Sequence, residues 1–168
     1  MKGRCISHDG IHVYPEYCEL SLQQLLSISK DKEGIVIGSL PVGNLNEVFA
    51  VFRGATLYMR AKYRVPSMES DVVPGVEKPE VAELVNKNVL ILICYEIMFP
   101  EDYIIQKQKI DAIVHMVGFP MYSEEQKEGW VAMQKALSLI YNCPLICSCG
   151  GVGGEMNISG VMLPEKLR

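Results

Sequence analysis

Residues 88–101 read NVLILICYEIMFPE, and this stretch decides the fold. Val89 to Ile93 form an apolar run without alternation, long enough for one buried strand and too short for a typical helix. Cys94 stands where that strand should end. Phe99-Pro100-Glu101 follows, with Pro favoured in a first helical turn and an acidic residue suited to the helix dipole, which predicts a helix over Glu101–Lys109. A thiol is thus expected at a strand-to-helix turn, at the carboxyl end of a strand, where open α/β sheets hold their ligands. Free cysteine is also among the most buried residue types, so a structural Cys94 stands beside the reactive one at this point.

Working outward, Val13-Tyr14-Pro15 closes a short apolar stretch and sets Glu16 at a strand end. The segment Tyr58 to Tyr63 closes another strand with Lys62. In chain order the sequence therefore offers a glutamate, a lysine and a cysteine, each leaving a strand. Taken singly, a glutamate after proline or a lysine at a strand end reads as a solvated surface residue, and only the ordered trio argues otherwise.

The segments YPE at 14–16, GIVIGS at 34–39, NEVFAVFRGATLYMRAKY at 46–63, ICYEIMFPE at 93–101 and GWVAMQKA at 129–136 together resemble the nitrilase or carbon–nitrogen hydrolase superfamily, over nearly the whole chain. The resemblance implies a four-layer α-β-β-α sandwich. It implies Cys94 as nucleophile, Glu16 as proton carrier, Lys62 with the Tyr95 backbone N–H as oxyanion hole, and Glu69 as the second glutamate many members carry. It implies hydrolysis of a small linear amide or a nitrile through a thioester, with no metal or organic cofactor, in a homo-oligomer. Glu96 reads as structural. Two features depart from the pattern. Too few residues precede Glu16 for the family's first strand and helix, and the chain closes soon after a late strand, so it reads as short at both termini, with exposed sheet edges that favour pairing with another chain. Lys135-Ala136 stands where members carry Arg-Ala, and lysine keeps the charge without the bidentate geometry. A truncated, inactive relative acting as a binding module, and an unrelated α/β protein, are the alternatives.

Composition is consistent with one domain over residues 1–168, with 49% apolar and 21% charged residues. A chain of this size buries roughly two-thirds of its unfolded surface. The net charge of −4 leaves no basic footprint for nucleic acid. No apolar run nears the ~20 residues that span a bilayer, and the first five residues, MKGRC, lack a signal core, so the chain reads as cytoplasmic with its six cysteines as free thiols.

Strands are expected at Ile11–Tyr14, Ile35–Leu40, Val48–Phe52, Thr56–Arg60, Leu90–Cys94, Ala112–Val117, Leu145–Ser148 and Ile158–Leu163, with a hairpin turn at Arg53-Gly54. Helices are expected at Leu20–Ser29 and from Ser123 to Asn142, the second with an apolar stripe of Trp130, Met133, Leu137, Ile140 and Tyr141. Residues 64–87 read as a long surface excursion. Other chemistry is weaker. His8 and His12 stand four apart but flank Asp9-Gly10, a turn rather than a helix face; Cys147 and Cys149 share a strand face without zinc spacing; His115 is isolated. The glycine-rich run 150–154 lacks the Lys-Ser/Thr of a phosphate loop and reads as a flexible loop near the pocket.

Overall fold

The unbroken apolar run at 89–93 exists because its strand is covered on both faces. In the computed structural model, which describes residues 5–103, 109–150 and 156–164, two five-stranded sheets stack face to face. The first holds β1 (Ile6–His8), β2 (Ile11–Val13), β3 (Ile35–Val42), β4 (Leu45–Phe52) and β5 (Ala55–Ala61), neighbours in chain order. The second holds β6 (Val81–Leu84), β7 (Lys87–Ile93), β8 (Ala112–Val117), β9 (Leu145–Cys149) and β10 (Gly160–Met162). Helix α1 (Leu22–Asp31) links the parallel pair β2 and β3, and α2 (Glu124–Tyr141) links the parallel pair β8 and β9. Strand β7 sends Val89, Ile91 and Ile93 between the sheets, against Ile37, Ala50, Val114 and Met116, and sends Leu90 and Leu92 toward α2. A strand buried on both sides has no face left for polar residues. On the other side α1 lays Leu25 against Val36, Phe49 and Val51. The order of layers is α-β-β-α, as the resemblance implied.

Local chemistry sets the boundaries. Ser21 caps α1 in a capping box: its hydroxyl accepts from Gln24 N at 3.3 Å while the Gln24 side chain accepts from Ser21 N at 2.8 Å. Ser123 caps α2 through Gln126 N at 3.1 Å, and Asn142 closes it in the left-handed conformation at φ 49°. Arg53 and Gly54 form the expected hairpin, with φ of 48° and 80° as a tight primed turn needs.

Several expectations are corrected. β1 pairs with β2 across Asp9-Gly10, and β6 lies inside the stretch read as an excursion, pairing antiparallel with β7. Both are strands of three or four residues, too short to carry a period. The last strand is only Gly160–Met162. After β7 the chain enters a 3-10 turn at Cys94–Met98 and another at Pro100–Asp102. The rest of the helix expected to Lys109, the glycines after Gly150 and the final Lys166-Leu167-Arg168 lie largely or wholly outside the described residues. The α2 stripe also differs: Ile140 is exposed, while Gln134 and Ser138 are fully buried. Those two are buried because each finds a partner, Gln134 on His115 and Ser138 on the Cys143 carbonyl at 2.7 Å.

Candidate active site

Glu16, Lys62 and Cys94 reach one place from three strand ends. Past β2, Tyr14 N donates to Ile37 O at 2.8 Å, and Tyr17, at φ 52°, donates its N–H to Ser39 Oγ at 3.2 Å. This tight turn folds Glu16 inward, where it is 2% exposed. Past β5, Lys62 N donates to Asn46 O and Lys62 O accepts from Gly75 N, each at 2.7 Å, so the backbone on both sides of the lysine is pinned. The Lys62 side chain is completely covered. Its Nζ donates to Glu16 Oε1 at 2.6 Å and to both Glu69 oxygens at 2.8 Å. Asn46 Nδ2 adds a bond to Glu16 Oε1 at 2.7 Å, and Tyr17 OH one to Glu69 Oε2 at 2.9 Å.

Cys94 begins the turn after β7 in the left-handed region, at φ 47°. A non-glycine residue held there costs on the order of 1–3 kcal/mol and persists only where its surroundings enforce it. Glu96 and His115 supply that enforcement. Glu96 accepts from Ile93 N at 2.8 Å and Tyr63 N at 2.7 Å, and pairs with both Arg60 guanidinium nitrogens, at 2.7 and 2.8 Å. It thereby ties the residues next to Cys94 and Lys62 to one carboxylate. His115, fully buried in β8, lies 3.1 Å from the Cys94 carbonyl through Nε2 and 3.0 Å from Gln134 Nε2 through Nδ1, and stacks on Trp130. Burial pushes its pKa down to about 4, so the ring is neutral. An amide nitrogen donating to Nδ1 and a carbonyl accepting from Nε2 together assign the proton to Nε2.

The charges follow from burial. Loss of water pushes the Glu16 carboxyl up to about 7, against the pull of Lys62. Burial also raises the Cys94 thiol well above its ordinary value; the Glu16 charge and a hydrogen bond to Glu16 add to this, and Lys62 opposes it. Lys62 is pulled down by burial but held up by Glu16 and Cys94, and remains an ammonium. The resting site therefore holds a neutral thiol facing a carboxyl poised near neutrality, beside a fixed positive charge. Cys94 and Glu16 open into a cavity of about 450 Å³, walled by Met98, Val117, Phe119, Met121 and Trp130. Tyr95 lines it too, at the second position of the turn, where a short helix leaves its backbone N–H without a partner inside the helix.

Of the five residues singled out from the sequence, Glu16, Glu69, Cys94 and Tyr95 thus line this cavity, and Lys62 lies covered behind them, bonded to both glutamates. Those not singled out are Asn46, Tyr17, Arg60 and Gln134, and no local pattern marks them. His115 did carry a signal, since a polar ring inside the apolar run Ala112–Val117 must find partners when buried. Cys147 and Cys149 point into the core under α2, and His12 Nδ1 bonds Ser7 Oγ across the first hairpin at 2.7 Å. Among the described residues no cluster of His, Cys, Asp and Glu could hold a metal ion, and no helix is long and apolar enough to cross a membrane.

The architecture matches known structures. A CN-hydrolase superfamily protein from Xanthomonas campestris, solved with an arsenic adduct in its active site, superposes with a TM-score of 0.73 over 94% of this chain at 14% identity. The chain has the carbon–nitrogen hydrolase fold. A carbon–nitrogen hydrolase from Helicobacter pylori matches with a TM-score of 0.69 over 86% of the chain at 15% identity. A mutant amidase from a Nesterenkonia species, captured after Michael addition of acrylamide at its active-site cysteine, matches with a TM-score of 0.63 over 83% at 15% identity. The chain spans 71%, 62% and 65% of the lengths of these three proteins, respectively. No protein-family model matches the sequence, and no curated protein does. The carbon–nitrogen hydrolase fold explains why the three strand ends converge: they leave two stacked sheets at the same end.

Proposed function

We propose that this protein hydrolyses the carbon–nitrogen bond of a small linear amide, with Cys94, Glu16 and Lys62 as its catalytic residues. The observation that carries this reading is the buried Lys62 ammonium held 2.6 Å from a Glu16 carboxylate that also faces the Cys94 thiol. Glu16 takes the thiol proton as sulfur attacks the amide carbon, and the carbonyl oxygen becomes an oxyanion. Lys62 and the Tyr95 N–H receive that charge; one such donor is typically worth ~3–4 kcal/mol in the transition state. The C–N bond then breaks, the nitrogen leaves as an amine with the proton from Glu16, and the acyl group stays on Cys94 as a thioester. Water, deprotonated by Glu16, displaces the thiolate, releasing the carboxylic acid and returning the proton to sulfur. Glu69, bound to both Lys62 and Tyr17, keeps the ammonium aimed. The amide class follows the Nesterenkonia amidase, a double mutant of which was solved in complex with acrylamide. Intact-mass measurement after mixing with short amides should show an acyl adduct on Cys94, absent in Cys94→Ala. An adduct on Cys18 or Cys147 with Cys94 untouched would refute the assignment.

A further inference from the structure

The wall of the cavity bears on which amide enters. Beyond Cys94 it is built mainly from apolar side chains, among them Met98, Val117, Phe119, Met121 and Trp130, with Tyr122 and Gln126 as neutral polar members of the lining. The charged groups among its described lining residues are Glu16 and Glu69, both acidic. Lys62 is not among the described lining residues: its side chain is fully covered, and its ammonium sits with Glu16, Glu69 and Cys94 at the reacting centre, not along the wall that meets the acyl chain. The nearby cations Arg64 and Lys78 are drawn away to Asp102. A carboxylate on the far end of a substrate would lose its water against a largely thioether and aromatic surface, find no cation among the described lining residues, and feel two glutamates. A methylene chain would gain at every carbon. A cavity of about 450 Å³ is in the lower part of the range for small-molecule sites, roughly 300–1,000 Å³.

We infer that the amide accepted here carries a neutral, apolar acyl chain, and that amides ending in a carboxylate are rejected. This rests on the hydrolase reading above. Trp130 is the single tryptophan of the chain and lines the cavity, so its fluorescence reports occupancy without turnover. Hexanamide and adipamic acid differ only in the far end of one chain, a methyl group in the first and a carboxylate in the second, and form a matched pair of probes.

In the first arm the full chain is assayed for ammonia release. Rates on propionamide, butyramide and hexanamide should climb about fourfold in kcat/KM per methylene, and adipamic acid should fall below hexanamide by about a hundredfold or more. In the second arm hexanamide and adipamic acid are titrated into the Cys94→Ala chain while Trp130 emission is read, and hexanamide should bind at least about tenfold more tightly. Equal or faster hydrolysis of adipamic acid, or equal or tighter binding, overturns the inference and leaves the hydrolase reading standing. If neither compound is hydrolysed and neither adds mass at Cys94, the hydrolase reading falls, and the substrate inference falls with it.

Discussion

Glu16 sets how the site should respond to pH. Burial holds its carboxyl near 7, so a large fraction is protonated below neutrality. A base must be ionised to accept the thiol proton, and kcat/KM reports the ionisation of the free enzyme. Activity should therefore rise as pH increases through about 7 and fall on the acid side. Glu16→Gln keeps the size and removes the proton acceptor. Initial rates of ammonia release from about pH 5.5 to 9 should show a loss of roughly 10²–10⁴-fold in this variant, and the rise through neutrality should vanish with it. A parent profile that is flat across this range would refute the role of Glu16. His115 plays a different part. Its ring is neutral and reaches the Cys94 carbonyl, where it helps hold the left-handed turn.

At the scale of elements, the pair Arg60–Glu96 joins the two sheets. Arg60 lies in β5, and Glu96 lies in the turn after β7; Arg60 also donates to Ile91 O at 2.9 Å. Both side chains are buried, at 1% and 0% exposure. Removing one partner of a buried pair strands the other charge, a loss of about 3–5 kcal/mol. Glu96→Ala should lower the unfolding free energy measured by urea denaturation by that amount, and should also lower activity, because Tyr63 N and Ile93 N lose their common acceptor next to Lys62 and Cys94. A Glu96→Ala chain as stable and as active as the parent would show that the turn holds its shape without this brace.

At the scale of the whole molecule, the layer between the sheets carries the fold. Ile91 is fully buried there, in contact with neither solvent nor the site cavity. Ile91→Ala should cost about 2–5 kcal/mol in chemical denaturation. A cost below about 1 kcal/mol would mean that the sheets can close the gap, contrary to close packing. Among the described residues the sheets end at β1 and β5 and at β6 and β10, and β5 shows Leu57 and Met59 to solvent at 42% and 54% exposure. We expect the chain to pair with a second copy, seen as a dimeric mass in light scattering at micromolar concentration; a monomeric mass would refute it.

What was legible in the sequence was whatever depends on near neighbours along the chain. The apolar run at 89–93 marked a strand covered on both faces, Arg53-Gly54 marked a hairpin, and Ser123 with Asn142 bracketed α2, because burial period, turn conformation and capping are settled within a few residues. Glu16, Lys62 and Cys94 were legible as candidates for the same reason, each sitting just past an apolar run. Their hydrogen bonds were not. Asn46 reaches Glu16 across 30 residues, Arg60 reaches Glu96 across 36, and the pairing of Gln134 with His115 replaces an apolar residue in the α2 stripe. The near-neutral carboxyl of Glu16 likewise belongs to no local pattern. It exists only once two sheets close over the group, exclude water from it and bring Lys62 and Cys94 alongside.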